Sequence, residues 1–219
     1  MKLVNMHDSK SCALRPEGSS PSFGTNVSYK QSLAYIIGIA IGDGNLSNPN
    51  KRAVRLRVSC DEKYPLIIQE IIHEIHVVLP KNKISLIKRK SHCIDVSCYS
   101  NQWEGLLGWL ANGGPKFQQN IRVPQWIKNN SKYAKQCLKG LIETDGSIYY
   151  DRGYLMVNFT NIIPQIILDF TDMLDILGYN NHVYLRRDGN NNKKVVRVSF
   201  GAQKLVRSLA IISKNPVKN

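Results

Sequence analysis

A chain of 219 residues can bury a sizeable core, in one domain or two small ones. Its 30 Lys and Arg against 16 Asp and Glu leave a formal charge of +14, which points to a polyanionic partner, most simply nucleic acid. No apolar run is long enough to cross a bilayer, no apolar core marks a secretory leader, and the five cysteines form no CxxC pair; together these predict an intracellular, reducing compartment.

Residues 1–27 are rich in Ser, Gly, Pro and Asn without periodicity and read as a flexible tail. A first repeat follows over 28–111. It opens on Ile36-Ile37-Gly38-Ile39-Ala40-Ile41-Gly42-Asp43-Gly44, too densely apolar for a one-sided surface helix. Gly38 and Gly42 share a helix face, where small residues let a second backbone come close. Gly44 fits the left-handed residue that commonly ends a helix. Asp43 then stands at a helix C-terminus, where the dipole is already negative and unpaired carbonyls face outward.

Beyond this helix, Arg55-Leu56-Arg57-Val58-Ser59-Cys60 alternates polar and apolar residues as a half-buried strand does. Pro65 opens a helix to Val78, and strands are predicted around Ile84–Leu86 and Ile94–Cys98. A last helix carries Trp103, Leu107 and Leu110. Asn112-Gly113-Gly114-Pro115 then breaks any helix, and residues 112–131 read as a linker containing Val123-Pro124-Gln125-Trp126-Ile127.

Over 132–219 the pattern returns. Leu138-Lys139-Gly140-Leu141-Ile142-Glu143-Thr144-Asp145-Gly146 places Asp145 102 residues after Asp43. Gly140 and Thr144 repeat the small face, and Gly146 repeats Gly44 as a helix-ending residue. Leu155, Val157 and Phe159 match Leu56, Val58 and Cys60; Pro164 matches Pro65; Val183 and Leu185 match Ile84 and Leu86. Val196, Val198 and Phe200 match Ile94, Val96 and Cys98, and Leu205, Leu209 and Ile212 match the last helix. Each half reads helix, two strands, helix, two strands, helix. The fold class is therefore α+β, two pseudo-symmetric αββαββα repeats with helices packed on antiparallel four-stranded sheets.

Two converging carboxylates repel, and the motifs contain no obvious cation to relieve them; a hard divalent metal held by carboxylate and carbonyl oxygens is the natural compensation. The outward strand faces carry Arg55, Arg57, Ser59, Lys83, Ser85 and Arg89 in the first half. In the second half they carry Tyr154, Asn158, Tyr184, Arg186, Arg197 and Ser199, with Arg187, Lys193 and Lys194 at strand ends or turns. A β-ribbon fits the DNA major groove, and Arg or Asn reads base edges there. His73 and His76 share a helix face, but no four-ligand zinc set and no Ser-His-Asp or Cys-His arrangement is visible.

The doubled motif resembles that of the LAGLIDADG homing endonucleases, monomeric two-motif type, over about Tyr29 to Ile212. The resemblance implies two motif helices at the centre of a saddle of sheets straddling double-stranded DNA. It implies a long, asymmetric target and hydrolysis of one phosphodiester per strand. Asp43 and Asp145 map to the catalytic acidic positions. With the carbonyls of Gly42 and Thr144, they would bind Mg²⁺ or another divalent cation such as Mn²⁺. A basic residue near the start of a repeat's last helix maps to Lys204, whose alternative is a solvated first-turn lysine; the first-half position is Gln102. Ile41 departs from the usual first acidic residue. An intron maturase, or another non-cleaving RNA- or DNA-binding protein on the same scaffold, is the alternative function.

Overall fold

In the computed structural model the described residues are 28–49, 51–188 and 191–212. The predicted tail, 1–27, lies outside them. The first half runs α1 (Tyr29–Gly42), β1 (Gly44–Ser47), β2 (Arg55–Asp61), α2 (Pro65–Val78), β3 (Ile84–Lys88), β4 (Cys93–Tyr99) and α3 (Trp103–Leu107). A 3-10 turn at Lys116–Gln118 and the short α4 (Gln125–Lys128) lead into the second half. That half runs α5 (Ser131–Asp145), β5 (Gly146–Asp151), β6 (Tyr154–Asn161), α6 (Pro164–Ile176), β7 (His182–Asp188), β8 (Asn191–Val198) and α7 (Ala202–Ser208). The two antiparallel sheets have matching orders, β1-β2-β4-β3 and β5-β6-β8-β7. The protein is α+β and two-fold repeated.

Helix starts follow from local chemistry. Gln31 reaches back to accept the Ser28 N–H, and the Asn130 side chain accepts from the Lys132 and Tyr133 N–H groups. Pro65 and Pro164 stand in the first turns of α2 and α6, where the missing N–H costs nothing.

The centre is the contact of α1 with α5. Leu33 to Ile41 are buried on every side of α1, as its apolar density predicts. Glycine is needed where the backbones touch. A Cβ on Gly38 would lie 2.3 Å from the Cys137 carbonyl oxygen, and one on Gly140 would lie 2.6 Å from that of Tyr35. One turn on, a Cβ at Gly42 would meet Thr144 Oγ1 at 2.1 Å. The small-residue face thus sets the closeness of the two halves.

Three sequence expectations change. Gly44 and Gly146 are not left-handed caps: neither has positive φ, and Gly146 is extended at φ −88°, ψ 159°. They are glycines because the strand folds back on its own helix, where a Cβ would lie 2.5 Å from Ala40 Cα or 2.4 Å from the Ile142 oxygen. Helix α3 stops at Leu107 because Gly108 turns left-handed at φ 86°, which leaves Leu110 exposed. Leu86, Val183 and Leu185 have inward parity yet are exposed on the edge strands β3 and β7, and Phe200 is exposed in the turn after β8.

The linker is anchored from below. Fully buried Asp169 accepts from the Val123 N–H at 2.7 Å, from Lys128 Nζ at 2.7 Å and from Gln165 at 3.1 Å. A buried carboxylate satisfied this completely fixes the path of 123–128 across α6.

Candidate active site and nucleic-acid interface

Helices α1 and α5 end side by side, so Asp43, just past the first, and Asp145, closing the second, reach the same region. The Asn161 side-chain N–H donates to Asp145 Oδ2 at 2.9 Å and orients that carboxylate.

A residue that the motif pattern did not single out stands between them. Lys116, half-buried on the linker's 3-10 turn, points its ammonium at the end of α1. Its Nζ donates to the carbonyls of Ala40 at 3.2 Å, Ile41 at 2.7 Å and Gly42 at 2.7 Å. These are carbonyls that helix geometry leaves unpaired, at the negative end of the dipole. Burial lowers the Lys116 pKa, while Asp145 and then Asp43 pull it back up. The second motif's own Lys139 is paired with Glu70, so the cation at the helix ends is supplied by the linker, too far away in sequence for motif spacing to reveal it. The only sequence signal was a lysine following Gly113-Gly114-Pro115.

The two flanks of the centre differ. Beside Asp43, a small cleft gathers Cys60, Asp61 and Thr144 and is acidic. Beside Asp145, a wider cleft gathers Lys116, Asn161, Arg186 and Lys193 and is basic. Among the described residues no cluster of three or more His, Cys, Asp or Glu side chains could hold a metal, so any cation here must also use carbonyl or water oxygens.

Under the centre lies a buried polar cluster. Tyr35 Oη donates to Glu143 Oε2 at 2.7 Å, and the Ile212 N–H donates to Glu143 Oε1 at 2.9 Å. Lys139 pairs with Glu70 and lies 4.0 Å from Glu143. Burial raises the Glu143 pKa to about 7, against the pull of Lys139. Glu143 thus ties the second motif helix to Tyr35 of α1 and to Ile212.

Register sorts the strand residues. Asn158, Arg197 and Tyr184 share the outward face with Arg186 and Lys193, which sit directly opposite each other. Like charges placed opposite one another are destabilising unless an anion lies over them. Arg187 and Lys194 fall on the other parity. Lys193 and Lys194 also lie inside β8, rather than at a strand end or turn as the sequence suggested. Arg197 is braced by Asn158 at 3.1 Å, by Tyr149 Oη at 3.2 Å and by Tyr184 Oη at 2.9 Å, and it stacks over the Tyr184 ring. Asn158 is correspondingly buried.

In the first half the matching position is Asp95, which accepts from Ser59 Oγ at 2.8 Å and from Arg89 Nε at 2.7 Å. Arg55 donates to Ser47 Oγ at 3.2 Å, and the Arg57 Nε is buried without a hydrogen-bond partner. Ser85 pairs with Ser97 in register, Lys83 precedes β3, and Tyr154 and Ser199 are exposed at strand ends. Lys204 is exposed on α7 and lines neither central cleft.

A family model, the LAGLIDADG-like domain, matches residues 132–218. The I-DmoI structure solved with DNA and Ca matches with a TM-score of 0.62 at 20% identity, covering 83% of this chain and 90% of that one. The complex of I-DmoI with DNA and Mn gives 0.63 at 19% identity, with coverage of 83% and 97%. The chain is built on the LAGLIDADG fold. Full-length DUF199/WhiA from Thermatoga maritima matches at a TM-score of 0.56 and 11% identity, over 88% of this chain and 58% of that one. A DNA polymerase of Thermococcus hydrothermalis is 26% identical over an alignment of 166 residues that covers 71% of this chain. The chain spans 9% of the length of that curated relative.

Proposed function

We propose that this protein is a sequence-specific endonuclease that cuts both strands of double-stranded DNA, one phosphodiester per strand, as a monomer. The observation that carries this reading is the meeting of Asp43, Asp145 and Lys116 at two adjoining helix ends, between sheets with basic outward faces. The solved I-DmoI complexes with DNA and with Ca or Mn support it.

The donor set fits a hard divalent cation. It combines two carboxylates with helix-end carbonyls that already attract an ammonium group. Asp43 and Asp145, with the main-chain oxygens of Gly42 and Thr144, would hold Mg²⁺ or Mn²⁺. A cation bound there supplies Lewis-acid activation of water and neutralises charge on the leaving oxygen.

The protein's own residues do the rest. Asn161 fixes the Asp145 rotamer, and the Gly38–Cys137 and Gly140–Tyr35 contacts set how close the two acidic ends can come. Arg186 and Lys193, beside Asp145, would pin backbone phosphate, while the braced Arg197 presents a pre-oriented guanidinium to a base edge. Because the sheet faces differ at matched positions, the site read would be long and asymmetric.

Incubating the protein with a randomised duplex library and Mg²⁺, then sequencing the ends, tests this. Cuts at one asymmetric motif, lost with EDTA and with Asp145→Asn, are expected. A protein that binds duplex tightly and cuts nothing in Mg²⁺ or Mn²⁺ is a binder, and the reading is wrong.

A further inference from the structure

Lys116 has one property that the nuclease reading does not use. An ammonium group has three donors, and all three are spent on the carbonyls of Ala40, Ile41 and Gly42. The Gly42 oxygen is among those that would serve a metal, and an ammonium 2.7 Å from it repels any second cation that approaches. The turn carrying the lysine is itself fixed. The Gln119 side chain donates to the Gly114 oxygen at 2.8 Å and the Leu110 oxygen at 3.2 Å, and accepts the Leu110 N–H at 2.9 Å. With the tether held, motion is left to the lysine's own four-carbon stem, which lines the open cleft beside Asp145.

We propose that Lys116 is a tethered stand-in for the divalent cation: it fills the carbonyl end of α1 when no metal is present and must swing out for the Gly42 carbonyl to become a ligand. This rests on the metal-dependent reading of the same site. Its physical basis is a shared preference. The negative end of a helix dipole flanked by two carboxylates needs a cation at all times, and the chain supplies a monovalent one that a divalent ion can displace. The lysine is a positioning residue. It keeps the two helix ends assembled before metal arrives and makes metal entry an exchange of cations.

The test uses the full chain without DNA, with thermal unfolding and Mn²⁺ titration as readouts. Lys116→Met should melt below wild type in EDTA, because the α1 carbonyls and both aspartates lose their cation. It should then gain more in melting temperature from Mn²⁺ than wild type does, and bind Mn²⁺ several-fold more tightly, since no lysine has to leave. Removing any positive charge nearby favours metal to some degree. Arg186→Met, which takes one charge from the same cleft without touching the α1 carbonyls, should therefore shift Mn²⁺ affinity much less. If Lys116→Met fails to fold, Lys116→Gln, which keeps an uncharged donor on a shorter stem, should give the same ordering. An equal Mn²⁺ increment in wild type and Lys116→Met overturns the proposal, as does an equal effect of Arg186→Met. Failure of Mn²⁺ to stabilise either protein overturns it too. Cleavage of the duplex library by wild type then tells whether the nuclease reading survives.

Discussion

At Asp43 and Asp145 the side chain matters for its charge. Replacing either with Asn keeps the shape and removes the carboxylate, so cleavage should fall to background while duplex affinity holds or rises, as a negative charge near phosphate is lost. Gel shift and plasmid cutting on the same preparations check this; full cutting by Asp43→Asn would remove that residue from the site. Glu143 is a second case where one atom group has a measurable consequence. Its folded pKa of about 7 lies above its ordinary 4.5, so the folded state holds the proton more tightly than the unfolded state does. The stability tied to that proton is complete below about pH 4.5 and is lost as pH rises through 7, an amount on the order of 3 kcal/mol. Urea midpoints at pH 5 and pH 8 should therefore differ more in wild type than in Glu143→Gln. Parallel pH profiles would show that the buried carboxyl does not titrate as described.

Among the elements, the α1–α5 contact decides whether the two halves form one site. A methyl added at Gly38 or Gly140 meets backbone oxygen at 2.3 or 2.6 Å, which no side-chain rotation can relieve. Gly38→Ala and Gly140→Ala should each cost roughly 1–3 kcal/mol or more and should impair cutting by separating the carboxylates. Gly105, in α3, would meet nothing within 4 Å. Gly105→Ala should be neutral or stabilising by up to about 1 kcal/mol, through helix propensity and a less flexible unfolded chain. Comparing denaturation midpoints of these three variants separates close packing from glycine content. Equal effects would mean that the helices do not touch as closely as described.

For the whole molecule, both motifs belong to one chain, and the halves present different residues at equivalent places: Ser59 with Asp95 against Asn158 with Arg197. One chain per duplex and an asymmetric target are expected, and sedimentation finding two chains per duplex would contradict both. Register further separates residues that a simple charge count would pool. Lys193 shares its face with Arg186 and Arg197, whereas Lys194 has the opposite parity. Lys193→Ala should reduce the slope of affinity against salt by about one unit, and Lys194→Ala should change it less. Loss of Arg57 from mid-β2 should cost about 1–3 kcal/mol at one or two base pairs. A uniform loss across target variants would make Arg57 a phosphate contact instead.

What could be read in the amino-acid order was whatever is periodic or repeated. The doubled Asp-Gly motif, the alternation in β2 and β6 and the prolines opening α2 and α6 reflect local geometry with a fixed period, so they gave both the αββαββα architecture and the two carboxylates. The small face of Gly38 and Gly42 likewise announced a close helix contact, though only the packed helices showed which backbone atoms each glycine meets. Three-dimensional proximity decided everything else. Lys116 reaches α1 from a turn more than seventy residues away, Gln119 locks that turn, and Glu143 is bonded by Tyr35 and Ile212, which are far apart in sequence. The exposure of Leu185 depends on its place on the edge strand β7, the burial of Asn158 on Tyr149 and Arg197 bonding to it across the sheet, and the faces of Lys193 and Lys194 on strand register. Hydrogen bonds and Coulomb forces act on distance through space. The cation that completes this site has no periodic trace along the chain, and it came to light only when the linker was folded over the helix ends.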